Sequence, residues 1–293
     1  MVGGYGYAGV RRGIFLLSLP GRAAHVGGAM LEVVGLTKTY GEFSAVKDLS
    51  FTAGPGELLG LVGPNGAGKT TTLRCLAGIF PPTHGRITIA GHDLLAQPVA
   101  AKRELAYFSD EPRLFDHLTV RQHLIFTARL YQVLDVDSRI PPLLEQLDLV
   151  DQADQLPGEL SRGMKQKVQL ACGLLHSPRV LFFDEPLTGL DPFAIRKTKD
   201  LIRGQAAAGR TIVISSHLLH LLEEICTRVL ILQRGVKVVH GTLAEIRAQF
   251  AGGSADASLE DLFLSIAGPQ PVEAPAPPPL VPPSVTPLPP PLP

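Results

Sequence analysis

The stretch Gly63-Pro64-Asn65-Gly66-Ala67-Gly68-Lys69-Thr70 fits the pattern G-x-x-x-x-G-K-[ST]. The apolar run Leu58-Leu59-Gly60-Leu61-Val62 precedes it directly and Thr71-Thr72-Leu73-Arg74-Cys75-Leu76 follows, so the context reads strand, glycine-rich turn, helix. Glycines at 63, 66 and 68 can take backbone angles closed to other residues. Successive N–H groups can then converge on phosphate oxygens at the positive end of the following helix. Gly63 to Thr70, with Thr71 after them, are therefore the candidate phosphate-binding residues. Lys69 is placed to reach β and γ phosphates and the Thr70 hydroxyl to ligate Mg²⁺.

Outward from that loop, composition sets the limits. With 293 residues the chain can bury a sizeable core. Lys+Arg and Asp+Glu are both 27, so no global field draws it to nucleic acid, and no nucleic-acid partner is expected. Cys75, Cys172 and Cys226 lie far apart in apolar helix-like runs, which suits reduced core thiols and a cytosolic compartment. No apolar stretch approaches the roughly 18–20 residues a spanning helix needs. Work at a membrane would need another chain to supply the span.

In chain order, residues 1–29 are a glycine-rich leader whose apolar run Ile14–Leu19 is too short for a signal peptide and stops at Pro20. We expect translation to start at Met30. Leu31–Leu36 reads as the first strand and Thr37–Gly41 as a loop, with Tyr40 a candidate for stacking on a nucleobase. Arg86–Ala90 and Leu105–Phe108 read as further strands. Thr119-x-x-Gln122 is a capping box, Pro141-Pro142 can open a second helix, and Ser161 caps a third whose Met164, Val168, Ala171 and Leu175 share a face. This is a helical insert over about residues 111–175.

Arg179-Val180-Leu181-Phe182-Phe183-Asp184-Glu185 is an apolar strand delivering two carboxylates at its end. A helix at about 193–208, the strand Thr211–Ser215, a helix at 218–226 and a hairpin about Arg234-Gly235 continue the alternation. Strands alternating with helices imply an α/β fold with a mainly parallel sheet and ligands at the strands' carboxyl ends. Beyond Phe250 come a Gly-Gly-Ser linker, an apolar segment at 259–264 within 251–268, and a tail at 269–293 holding thirteen of the 26 prolines. Such a tail is extended and without its own core, and spacer, ligand and functionless disorder all stay open for it.

Taken together, these residues resemble the ATP-binding cassette family, the nucleotide-binding subunits of ABC transporters, over about residues 31–250. The resemblance implies an ABC ATPase fold: a P-loop NTPase core with an antiparallel β portion and a helical insert. It implies that Asp184 holds Mg²⁺ through water and Glu185 polarises the attacking water, with His217 as the switch histidine contacting the γ-phosphate. Leu160-Ser161-Arg162-Gly163-Met164 stands where the family has its LSGGQ signature. Ser161 and Gly163 match it and Arg162 and Met164 do not. By the resemblance the signature acts on ATP held by the other subunit, a homodimer or paralogous partner arranged head to tail. Asp191 lies in the D-loop match Gly189-Leu190-Asp191-Pro192. The family's Q-loop Gln is replaced by Asp110, whose oxygen can still ligate Mg²⁺ or its water.

The expected function is thus ATP hydrolysis driving transport, export by the form of the signature, through a separate transmembrane permease on the cytoplasmic membrane face. A soluble cassette ATPase acting in translation or on DNA is the rival. Such proteins usually join two cassettes or carry long coiled coils, and neither is present here.

Overall fold

The runs Leu58–Val62, Val180–Asp184 and Thr211–Ser215 are buried at every residue, as central strands covered on both faces must be. In a computed structural model, which describes residues 28–250 and 257–267, they lie side by side. In chain order the strands are β1 (Leu31–Tyr40), β2 (Phe43–Ala53), β3 (Leu58–Val62), β4 (His84–Ile89), β5 (His92–Asp93), β6 (Leu105–Phe108), β7 (Val180–Asp184), β8 (Thr211–Ser215), β9 (Arg228–Gln233) and β10 (Val236–Gly241). The helices are α1 (Lys69–Leu76), α2 (Pro98–Arg103), α3 (Val120–Tyr131), α4 (Val136–Gln146), α5 (Arg162–Leu175), α6 (Pro192–Ala207), α7 (Leu219–Ile225), α8 (Leu243–Phe250) and α9 (Leu259–Ala267).

One sheet has the order β10-β9-β3-β8-β7-β6 and is parallel except for the β9–β10 hairpin. The other, β2-β1-β4-β5, is antiparallel. Side chains alternate across a strand, so the parallel sheet feeds two cores. Leu181 and Phe183 pack with the helical side, among Leu124, Val168, Ala171 and Ile202. Val180 and Phe182 pack on the opposite face with α1 and the antiparallel sheet.

The helical insert lies close on the parallel sheet because α5 presents Gly173 to it. A Cβ there would stand 2.3 Å from Cε1 of Phe108, whose ring stacks on Phe183 at 4.5 Å. The expected caps form. Thr119 Oγ1 accepts from Gln122 N at 3.2 Å while Thr119 N donates to Gln122 Oε1 at 2.8 Å. Ser161 Oγ accepts from Met164 N at 3.2 Å.

Several local expectations need correction. Thr37–Tyr40 is strand, not loop, because β1 continues through register shifts against β2, a partner the sequence pattern did not reveal. Pro141 and Pro142 lie inside α4, which starts at Val136 with its buried Ile140, Leu143 and Leu144 holding it on the core. Of the expected α5 face, Val168, Ala171 and Leu175 are buried and Met164 only half so. Cys226 caps α7 rather than lying within a helix. All three cysteines are free, and burial pushes the Cys75 and Cys172 thiols up to about 11. The apolar segment after residue 256 is helix α9, whose Leu259 and Leu262 are buried beside α7 and α8. Leader residues 1–27, the linker 251–256 and the tail from 268 onward lie outside the described residues. Among the described residues no helix is long and apolar enough to cross a membrane.

Candidate active site

The glycine-rich loop joins β3 to α1, and its shape is set by close approach. A Cβ on Gly63 would stand 2.4 Å from the Leu232 carbonyl oxygen, so this glycine is required by space rather than by backbone angle. Gly66 and Gly68 have φ of +75° and +101°, the left-handed region that favours glycine. Gly68 also abuts the Ala45 carbonyl oxygen, and Gly235 N donates to Ala67 O at 3.0 Å. Strand β2 and the β9–β10 turn therefore clamp the loop between them. Lys69 is almost fully buried and donates to the carbonyls of Gly63 at 2.7 Å and Pro64 at 3.2 Å. Burial lowers its pKa, and the Glu185 and Asp184 carboxylates push the other way.

Strand β7 delivers Asp184 beside this loop. One carboxylate oxygen, Oδ1, accepts from Ser215 Oγ at 2.8 Å and Thr70 Oγ1 at 3.2 Å, and the other accepts from the Tyr107 hydroxyl at 3.0 Å. Burial and the Asp184 charge push the Tyr107 phenol up to about 12, so it stays a donor at neutral pH.

The next residue, Glu185, has φ of +50°, a conformation costing a non-glycine residue of order 1–3 kcal/mol. Its amide is held by the carbonyl and hydroxyl of Ser215, both at 3.1 Å. The turned-out Oε2 accepts from His217 N at 3.2 Å and from Thr188 Oγ1 at 3.3 Å, and lies 2.9 Å from His217 Nδ1. Backbone strain of this kind persists only where the surrounding structure over-determines it, and such residues cluster at active sites.

Lys69, Thr70, Glu185 and His217 share one cleft of about 370 Å³, lined by residues 64–71 together with Phe43, Ala45, Asp110, Glu185, Thr188 and His217, and the buried Asp184 adjoins it through its bond to Thr70. Asp110 also forms a 2.9 Å ion pair with Arg162 at the start of α5. Ser161, Gly163 and Asp191 do not line the cleft: Ser161 caps α5, and Asp191 Oδ1 caps α6 by accepting from Phe193 N and Ala194 N. Tyr40 does not line it either. Its ring stands edge-on to Phe80 at 6.4 Å, under the Lys38 ammonium.

A family model described as ABC transporter matches residues 46–188. The ABC-type transporter ATP-binding protein EcsA of Bacillus subtilis is 35% identical over 240 residues, which is 81% of this chain and 96% of EcsA. The chain belongs to the ABC transporter ATP-binding proteins. The Nod factor export ATP-binding protein I of Paraburkholderia xenovorans is 37% identical over 246 residues, 83% of this chain and 78% of that protein. A solved structure titled as the ATP binding subunit of an ABC transporter is 36% identical with a TM-score of 0.77, covering 82% of this chain and all of the other.

As a member of this family the chain is an ATPase with the ABC ATPase fold. The residues also fit Mg²⁺. This ion is commonly held by one or two carboxylates together with substrate phosphates, and Asp184 with the Thr70 hydroxyl at the loop's exit is such a donor set. Among the described residues no group of three His, Cys, Asp or Glu side chains offers a protein-only metal cage.

Sequence reasoning missed four residues of the site. Phe43, 55% exposed, is the aromatic that lines the cleft, where Tyr40 had been expected to stand near the base. Only the β1–β2 hairpin distinguishes the two, and β2 was not apparent in the sequence. Thr188 was hidden in the turn after Pro186. Ser215 was read as the end of a strand, and Tyr107 as part of another, with no signal that both hydroxyls reach Asp184.

Proposed function

We propose that this chain is the peripheral ATPase subunit of an export system, attached to a separate membrane permease on the cytoplasmic face and working as a head-to-tail dimer. The observation that carries the reading is the Glu185–His217 contact at 2.9 Å in one cleft with Lys69 and Thr70, the latter bonded to Asp184. Hydrolysis needs a water aligned for in-line attack and compensation of the phosphate charge. Lys69 meets the β and γ phosphates, exchanging its bonds to the loop carbonyls for charge-assisted bonds to phosphate oxygen. Glu185 orients and accepts a proton from the attacking water, and His217 both holds Glu185 and reaches the γ-phosphate. Asp184 and Thr70 hold Mg²⁺, which when bound offsets charge on the phosphate oxygens.

The half-site character of the cleft supports dimerisation. Ser161 and Gly163 lie at a helix N-terminus, where a γ-phosphate binds well, yet they do not line the cleft of their own chain. They serve ATP held by the facing subunit, and Asp191 couples the two sites. In each cleft the base stacks on an aromatic of the β1–β2 hairpin, Tyr40 or Phe43. Asp110 acts as a ligand to Mg²⁺ or its water when its pair with Arg162 opens.

The permease contact is placed on the helical insert, near Asp110. There Phe115 and Phe126 are about half exposed and meet edge-on at 5.3 Å, with Leu130 exposed one turn further along α3. The relatives named for transport and for export support this direction over a role in translation or on DNA.

The test is recovery of partners from detergent-solubilised native membranes, with the chain and Glu185→Gln as parallel baits. A polytopic membrane protein recovered with both supports the reading. Ribosomes or DNA-bound complexes without any membrane protein overturn it.

A further inference from the structure

Asp184 is buried and accepts hydrogen bonds on both carboxylate oxygens, so its orientation is fixed by its donors. Two of the three donors, Thr70 and Ser215, share Oδ1, and Tyr107 alone holds Oδ2. When Thr70 turns to a metal, Ser215 and Tyr107 are left to hold the carboxylate, one on each oxygen.

The fold explains how a residue from another strand comes to do this. Tyr107 pairs with Phe182 in the β6–β7 register, and Phe182 and Asp184 share a face of β7. The length of a phenol along that face spans the two residues to Asp184. The Tyr107 ring is itself held by packing against the core shared by α1 and the antiparallel sheet.

We propose that Tyr107 is a positioning residue for Mg²⁺ binding: its hydroxyl holds the Asp184 carboxylate in the orientation that receives the ion. The proposal rests on the reading of Thr70 and Asp184 as the Mg²⁺ site. Groups that orient a metal ligand typically contribute 10–100-fold to metal affinity.

The test is the free Mg²⁺ concentration at half-saturation for binding of a non-hydrolysable ATP analogue, measured alongside analogue binding in EDTA. Tyr107→Phe removes one oxygen and keeps the ring. It is expected to raise the Mg²⁺ midpoint about 10- to 100-fold while binding in EDTA stays at the wild-type value. Tyr107→Met, of similar length but without the hydroxyl, is expected to move the midpoint the same way and stands in if the Phe variant does not fold.

An unchanged midpoint overturns the proposal, as does an equal loss of binding with and without metal, which is the mark of a structural role. Wild-type binding that does not depend on Mg²⁺ overturns the metal site itself. That result is distinct from a Tyr107 variant that behaves as wild type.

Discussion

The Asp110 carboxylate meets the Arg162 guanidinium at 2.9 Å. By the resemblance given above, both stand at positions where the sequence departs from the family's motifs, Asp110 at the place of the Q-loop Gln and Arg162 within the signature. Arg162 also lies against Gly189, whose φ is +73°. The added negative charge in the nucleotide cleft is therefore matched by an added positive one, and three motif loops meet at a single guanidinium.

From this pairing, Arg162→Gly alone is expected to weaken ATP binding in EDTA, because it leaves the Asp110 charge unpaired beside the phosphates with no Mg²⁺ for it to ligate. Both side chains are about half exposed, so the effect is modest: about 0.5–1 kcal/mol, roughly two- to five-fold in Kd, and smaller at high salt. Adding Asp110→Gln to that variant is expected to restore binding. Titration calorimetry of the four proteins checks the cycle, and additive effects would contradict the coupling.

Gly173→Ala is expected to destabilise the protein by about 1–3 kcal/mol, since its methyl group overlaps the Phe108 ring and Phe108 is stacked on Phe183. A denaturant or thermal melt reads this directly. An unchanged midpoint would show that α5 can lift from the sheet without cost.

Stability is expected to fall as pH drops from about 7 toward 4. Burial lowers the pKa of His176 and of His240 from the ordinary 6.5 to about 4 in each case. Between those values the unfolded chain binds more protons than the folded one, so unfolding is favoured as the solution becomes more acidic. Tm measured at pH 7 and pH 5 should be lower at pH 5, and equal values would contradict the burial of these imidazoles.

The parts of the fold legible in the sequence were those where one local signal dominates. Strands β3, β7 and β8 are buried on both faces and read as unbroken apolar runs, and Thr119 and Ser161 announce their helices by capping chemistry. Strand β2 mixes Lys47, Asp48 and Ser50 with its apolar residues and breaks its register with β1, so period-2 alternation did not show it. Helix α4 tolerates two internal prolines because tertiary burial of Ile140, Leu143 and Leu144 outweighs local propensity. In the site, residues with motif spacing could be placed beforehand. Tyr107, Ser215 and Thr188 carry no spacing signal, because their roles arise from which strands and turns are neighbours.

Thr70→Ala is expected to leave nucleotide binding in EDTA close to wild type and to abolish most of its enhancement by Mg²⁺, because the hydroxyl beside Asp184 is lost while the loop amides and Lys69 remain. Equilibrium binding with and without the ion separates these two contributions. Enhancement that survives the substitution would place the ion elsewhere.

The most direct test of the account is ATP hydrolysis by the purified chain and by Glu185→Gln, with ATP binding measured on both. The account predicts Mg²⁺-dependent hydrolysis that falls about 10²- to 10⁴-fold in the variant, the range of general-base assistance, while ATP still binds. Hydrolysis by Glu185→Gln at the wild-type rate would contradict the assignment of the strained strand-end carboxylate as the group that activates water.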